Sequence, residues 1–424
     1  VYEVLRAKRA VPSSVMTTVA AHESTRRRLI GTLFTGNAIG STAYIGIATV
    51  AALLAEDITG STSLSGLAAT TGTLGVAAGA ATLSWLSARA GRRPTFTLGY
   101  ALATTGSLVV LIAIAAGSFA LLLLGMVAMG FGRSVGQLAR YAAGDLRTAD
   151  RRAQAISLIV WANTIGAVFG PLLIGPAGAF AVASGANEYA GPVVVAIAGF
   201  TLAATLMAIG LRPEPMKLAV TDPGQSVTDK PSKIGTLLQS RTVQLAIAAI
   251  VISQAVMVLV MVMTPLHIRD NDGSLATVGW VMMAHTLGMF AIAPVTGRLV
   301  DMFGSRKMIA AAVGTFVVSC VIAASAGTAS TATLIVGLFL LGVAWNFGFV
   351  AGSTLLQEGH SVADRLKLQG VADSSAWVTA AAAAGVSGVI VATSSYGALG
   401  LLGAAAALLP LVAIYRERLP ARSF

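Results

Sequence analysis

The sequence has little charge, few acids and almost no cysteine. Only 11% of its 424 residues are Asp, Glu, Lys or Arg, less than half the share of about 25% usual in a soluble domain. So sparse a set cannot cover a water-facing surface, which excludes a soluble globular protein. A single cysteine, Cys320, excludes a disulfide framework and any cysteine-based metal cluster. Four histidines, His22, His267, His285 and His360, are too scattered for a metal site. A P-loop for ATP, an H-E-x-x-H zinc motif, a Gly-x-Ser-x-Gly elbow and a carboxylate pair within an apolar run are all missing. An enzyme is therefore not expected, and no cofactor or metal is implied. A cleavable signal peptide is not visible either, because the first apolar run begins near Leu29 and continues without a compact cleavage site. That run is expected to stay in the membrane.

Apolar sequence is what the chain has in abundance. Hydrophobic residues make up 56% and the mean hydropathy is +0.81, so hydrocarbon is the natural solvent for most of the surface. Twelve apolar runs bounded by charge or turn residues are read as spans: 29–54, 64–88, 94–116, 119–141, 153–176, 192–211, 243–266, 277–300, 308–327, 331–356, 369–392 and 397–415. At 1.5 Å per residue each helix would cover roughly 30 Å of bilayer core. The runs do not alternate, so a β-barrel is excluded. The expected fold class is an all-α polytopic membrane protein with twelve transmembrane helices in two pseudo-symmetric six-helix halves.

Net charge is +11 and the pI about 10.3, a balance found in nucleic-acid binders, but there the basic residues gather on one folded face. Here they fall in the gaps between spans, and in alternate gaps. Arg6, Lys8, Arg9 and Arg26 to Arg28 precede the first span; Arg89, Arg92 and Arg93 follow the second; Arg140, Arg147, Arg151 and Arg152 follow the fourth. Of the 28 basic residues, 26 fall on one side, leaving Arg269 opposite and Arg133 inside a span. The positive-inside rule then places both termini in the cytoplasm, with the chain in the cytoplasmic membrane. Lipid, a small organic solute and protons are the expected partners, nucleic acid is not, and a monomer is expected.

The only long polar stretch between spans, 212–242, carries Pro213, Pro215, Pro223 and Pro231 and reads as a linker. It separates a cytoplasmic tail (1–28) and first half (29–211) from a second half (243–415) and closing tail (416–424). The halves repeat each other. Gly91-Arg92-Arg93 is answered 213 positions later by Gly304-Ser305-Arg306-Lys307, and Ala149-Asp150-Arg151 is answered 214 positions later by Ala363-Asp364-Arg365. Parallel six-helix repeats joined by a cytoplasmic linker are one plan of a secondary transporter.

These marks resemble the major facilitator superfamily, and the resemblance covers essentially the whole chain. That family's G-x-L-x-D-R-x-G-R-R pattern is present twice in worn form. The first copy has Ser84, Leu86, Ala88, Arg89, Gly91, Arg92 and Arg93, keeping the basic end but not the leading Gly or the acid; the second has Gly297, Leu299, Asp301, Met302, Gly304, Ser305 and Arg306. The resemblance implies a gate built on these loops, with Asp301 lying against the start of span five near Arg151 or Arg152. Span five carries Gly166, Gly170, Pro171 and Gly175, similar to a signature of proton-driven exporters in the superfamily; close packing of small residues is the plain alternative. The segment from Gln137 to Asp145, with Trp345 to Gly352, Gln369-Gly370 and Asp373, is similar to a bacterial subgroup one branch of which is linked to riboflavin uptake. Two directions are thus open: proton-coupled export of a drug or metabolite, and proton-coupled uptake of a vitamin-like solute. A channel or receptor is a more remote reading.

Candidate site residues follow from polar side chains inside spans. Arg133, Gln137, Arg140 and Tyr141 share one face of span four, and an Arg at such depth costs ~2.5–3.5 kcal/mol even on insertion scales. They are expected to bind or orient solute; a snorkelling or structurally paired Arg is the alternative. Span one offers Asn37, Ser41 and Tyr44, span seven Ser253, Gln254, Met257 and Met261, and span ten Asn346, Ser353 and Gln357. The resemblance implies that spans one, four, seven and ten line a central cavity. Asp373 is the one carboxylate read as lying within a span, hence the first candidate to carry a proton and the acid expected to balance Arg133. His285 is the second, since imidazole titrates near neutrality.

Overall fold

In hydrocarbon, an apolar run must satisfy its own backbone amides, which favours the helix. The computed structural model describes residues 13–60, 62–220, 232–271, 275–325 and 331–418, and helix occupies each of the twelve expected spans, with no strand among the described residues; positions 326 and 327, the end of the ninth expected span, lie outside them. The first half comprises α1 (Ser13–Thr59), α2 (Thr62–Ala90), α3 (Arg92–Ala116), α4 (Phe119–Asp145), α5 (Arg152–Ala183) and α6 (Ala190–Gly210). A short linker helix, α7 (Ile234–Gln239), precedes the second half. There α8 (Arg241–Met261) and α9 (Thr264–Asp270) share the seventh span, and α10 (Leu275–Phe290) and α11 (Ala293–Phe303) the eighth. The remaining spans are α12 (Ser305–Ala324), α13 (Thr331–Leu355), α14 (Val362–Thr393) and the pair α15 (Tyr396–Ala407) and α16 (Leu409–Arg418).

Three spans are broken where uninterrupted helices were expected. In each, a proline, Pro265, Pro294 or Pro410, is the second residue of the helix after the break. Its missing N–H and its ring remove a hydrogen bond and crowd the preceding turn. By length and composition, ten helices, or eleven counting α1, are apolar enough to cross a membrane among the described residues, and α2 is not one of them. Its Gly72, Gly75 and Gly79 instead let α4 approach closely: a Cβ at Gly79 would lie 3.1 Å from the Phe131 Cα. Arg6, Lys8, Arg9, Lys230, Arg422, Pro223 and Pro231 fall outside the described residues.

The halves meet along two seams, α2 against α14 and α5 against α11. Side-chain hydrogen bonds across them gather at the end carrying most of the arginines, termed here the basic end. Ser84 Oγ donates to the Leu366 carbonyl, and Ser374 Oγ to the Ala77 carbonyl at 3.1 Å. Toward the other end α5 buries only Ala181 beyond Gly170, and α14 only Ser387 beyond Ala380.

A serine faces a glycine in each seam. A Cβ at Gly370 would lie 2.8 Å from the Ser84 Cβ, and one at Gly297 2.8 Å from the Ser157 Cβ. Positions 84 and 297 are 213 apart, as are 157 and 370. The repeat thus uses one contact twice with serine and glycine exchanged, which accounts for the leading Gly absent from the first loop pattern: Gly370 supplies the space from the partner helix.

Candidate functional site

Arg140 lies where the two halves touch, and all five of its N–H groups are used. Nε donates to Ser353 Oγ at 3.1 Å, Nη1 to the carbonyl and to Oε1 of Gln137, both at 2.7 Å, and Nη2 to the Tyr141 hydroxyl at 3.0 Å and to Asp373 Oδ1 at 2.5 Å. Two aromatic rings lie against the guanidinium as well, that of Tyr141 at 4.3 Å and that of Phe349 at 4.1 Å. Phe349 stacks on Trp345 at 4.4 Å, Trp345 meets the edge of Phe290, and its Nε1 donates to Gln254 Oε1 at 2.8 Å. A buried ion pair with this many hydrogen bonds can offset its desolvation. Asp373 is less completely held: Oδ1 also faces the Tyr141 hydroxyl at 3.4 Å, while buried Oδ2 has no hydrogen-bond partner among the described residues.

Arg133 is not balanced by Asp373, contrary to the expectation. It lies two turns further from the basic end, half-buried, and Nη1 donates to Asn163 Oδ1 of α5 at 2.7 Å. Its remaining donors make no hydrogen bond among the described residues. Asp373 is committed to Arg140 because α14 passes α4 at the level of residue 140.

Asp373 is also not the only carboxylate buried in a helix. α4 runs four residues past the expected end of its span and brings in Asp145, whose Oδ2 takes Arg92 Nη2 at 2.5 Å and whose Oδ1 takes Arg365 Nη1 at 3.3 Å. Gln357 Nε2 adds 3.4 Å to Oδ1 and 3.0 Å to the Tyr141 carbonyl. Arg92 reaches Gln369 Oε1 at 3.2 Å. Arg92, Arg140 and Arg365, counted from sequence among the charges of polar gaps, are each at most 1% exposed.

The other loop residues divide by half. Asp301 accepts the Ala153 and Gln154 amides at 3.0 and 3.1 Å, capping α5 across the seam; α5 carries no side-chain cap of its own, and a carboxylate is favoured at a helix N-terminus. Gly91 and Gly304 both have positive φ, 91° and 86°, so each turn suits glycine. The α3 amides of Arg92 and Arg93 bond Glu214 of the linker at 2.7 and 3.2 Å, and Arg93 Nε bonds the Ala208 carbonyl at 2.8 Å. Arg89 lies over the Trp85 ring at 3.9 Å, and Arg306 lies 3.7 Å from Glu358. Gly170, followed by Pro171 within α5, faces α1: a Cβ there would lie 3.0 Å from the Gly46 amide.

Several candidates are placed in helix seams away from Arg140. Asn37 Nδ2 bonds the Ile159 carbonyl at 2.8 Å, Ser41 Oγ bonds the Ala38 carbonyl at 3.0 Å, and Asn346 Nδ2 bonds the Met289 carbonyl at 2.6 Å. His285 Nδ1 is 2.9 Å from the Leu338 carbonyl between α10 and α13. Met257 is buried in the core and Tyr44 is half-buried. Asn163 was not singled out from sequence, and Asp145, Arg365 and Phe349 were named only as marks of the repeat or of the subgroup resemblance, not as site residues; the signal available for Asp145 was an Arg before span three and an Asp after span four.

Two helical halves meeting on a buried charge pair, with a loop acid capping the facing half, define a polytopic carrier of the secondary-transporter class. A model of the Major Facilitator Superfamily matches residues 33–271 and 245–424, and the chain belongs to that family. It is 36% identical over 378 residues to the uncharacterized MFS-type transporter YdeG of Bacillus subtilis, covering 87% of each chain. It is 28% identical over 389 residues to the riboflavin transporter RfnT of Brucella anthropi, covering 92% of this chain and 94% of that one. Among solved structures it resembles the human organic anion transporter MFSD10 (TM-score 0.73, 16% identity, 92% of this chain and 99% of that one). It also resembles the proton:xylose symporter XylE (TM-score 0.71, 16% identity, 93% and 96%). The relatives are transporters rather than enzymes, and the chain is a multi-pass membrane transporter.

Proposed function

We propose that the protein carries a small neutral or anionic organic solute across the cytoplasmic membrane by alternating access, coupled to protons through Asp373. The observation that carries this reading is the buried Arg140–Asp373 pair, 2.5 Å across the two halves, with Asp373 Oδ2 left unpartnered. Protonating that oxygen neutralises the acid, weakens its hold on Arg140 and loosens the tie that closes the basic end. Losing the proton on the other side restores the tie. Arg133, half-buried with unused donors, supplies the positive contact for the solute. The positive-inside rule makes the basic end cytoplasmic, so the arrangement described is closed to the cytoplasm.

Export in exchange for protons is the reading favoured by the resemblance of Gly166, Gly170 and Pro171 in span five to an exporter signature. Uptake is a second reading, supported by the likeness to a riboflavin transporter; both use the same proton site. Reconstituted protein under an imposed pH gradient provides the test, with the solute found by a thermal-shift screen. Asp373→Asn is expected to abolish uphill movement and spare downhill exchange. Equal accumulation by variant and parent would remove Asp373 from coupling.

A further inference from the structure

Four arginines converge on a pocket that solute coupling does not use. It measures about 330 Å³ and lies at the basic end between α1, the start of α5 and α11, lined by Arg27, Arg147, Arg151 and Arg298 with a single carboxylate, Glu23. Glu23 is shared: Arg147 Nη1 lies 2.5 Å and Arg27 Nε 3.1 Å from the same oxygen. The hydrogen bond from Arg147, with Arg27 beside it, holds the Glu23 carboxyl below its usual range, so it stays ionised and fixes both guanidinium groups. Arg298 makes no ion pair or hydrogen bond among the described residues. Among the described residues Arg151 has only Asp150, at 3.7 Å, both largely exposed. Asp301, a third nearby acid, is committed to the α5 amides.

The cleft therefore has more positive charge than its own acids balance. Its remaining wall is uncharged, with Gln154 and Ser157 beside the apolar Ile30, Ala155, Leu158 and Pro294. Guanidinium groups bind phosphate oxygens in pairs of parallel hydrogen bonds, and basic pockets between helices on the cytoplasmic side suit lipid head groups. Arg147 and Arg151 belong to the first half and Arg298 to the second, so one bound anion would touch both.

We propose that this pocket binds a phosphate group, presented by an anionic phospholipid or by a soluble phosphate compound, and that the bound group holds the basic end closed. The site does not depend on the proton-coupling reading; only its effect on closure does. The test uses the full chain in nanodiscs of phosphatidylcholine with or without phosphatidylglycerol, and separately in detergent with inorganic phosphate. Phosphatidylglycerol is expected to raise the thermal midpoint of the parent by several degrees, and Arg298→Gln and Arg151→Gln together to remove most of that rise. A rise with lipid alone names the head group as source, and an equal rise with inorganic phosphate names the soluble anion. Closure is read at the opposite seam, as thiol labelling of Ser84→Cys in a Cys320→Ala background. Labelling should slow severalfold with the effective anion and stay unchanged by it when Arg298 is Gln. No thermal shift with either anion, or a shift equal in parent and double variant, overturns the site. A shift without slower labelling overturns its role in closure and leaves the Asp373 test untouched.

Discussion

Arg140 and Ser353 are equivalent positions of the two halves, 213 residues apart, and they touch: Arg140 Nε donates to Ser353 Oγ at 3.1 Å. A residue in contact with its own repeat counterpart lies on the pseudo-two-fold axis. Gly144 and Gln357 are also 213 apart and in contact, one turn nearer the basic end. With Arg on one side of the axis and Ser on the other, duplication leaves one buried cation there rather than two that would repel. Val160 stands where the repeat of Asp373 would be, so the acid too occurs once.

The pair should therefore behave as a unit. Arg140→Gln or Asp373→Asn alone is expected to destabilise the protein, by about 3–5 kcal/mol if the remaining charge stays buried and unpaired. The double variant should recover most of that stability yet remain unable to accumulate solute. Thermal unfolding of the four purified proteins checks the cycle, and additive losses in the double variant would contradict it.

Arg133 is expected to act on affinity rather than folding. Removing a charge-assisted hydrogen bond to the solute costs about 1.5–3 kcal/mol, roughly a ten- to hundredfold loss of binding. Arg133→Ala should show that loss, and Arg133→Lys an intermediate one, because Lys keeps the charge without the planar fork. Titration of the solute found by screening against each variant decides it; parental affinity in Arg133→Ala would make the residue structural.

At Asp301, Asn keeps one acceptor and Ala keeps none. Asp301→Ala should weaken closure by about 0.5–2 kcal/mol, the usual worth of an N-cap, and Asp301→Asn by less. Labelling of a cysteine at Ala77, in the other seam, should quicken in the same order. Ala88→Asn, at the equivalent place of the first loop, should do little, since no acid acts there.

The exchanged serine and glycine give a rescue test. Gly370→Ser should crowd Ser84 and impair transport, because its Cβ has no room. Adding Ser84→Gly should restore function by copying the arrangement of Gly297 and Ser157. Failure of the pair to recover would mean that the Ser84 hydrogen bond to Leu366, rather than the space, is what the seam requires.

The spans were legible because burial in hydrocarbon writes itself into composition, and the gate loops because Gly91 and Gly304 mark turns that an L side chain strains to make. The partner of Arg140 was not, since Asp373 is 233 residues away and nothing local to either residue announces the other. Arg92 and Arg365 read as solvent-facing loop charges for a related reason: hydropathy reports how far a segment is from water on average, not which face of a helix end turns inward toward Asp145. Breaks in α8–α9, α10–α11 and α15–α16 were signalled by Pro265, Pro294 and Pro410, which the apolar runs around them concealed.

Seams made of serine facing glycine have little relief. No large side chain must climb out of a socket when the halves roll, so packing sets only a shallow barrier, and the dwell time in each orientation is governed by the few polar ties at the basic end. Such a machine is tuned like a latch rather than a gear: turnover can be slowed or hastened by adding or deleting single ties, with the bearing surface left alone. The same smoothness makes idle cycling a hazard, and what stands against it is the pair of bonds that Arg140 makes across the halves, to Ser353 and Asp373, while its bonds to Gln137 and Tyr141 of its own helix hold the guanidinium in place to remake them.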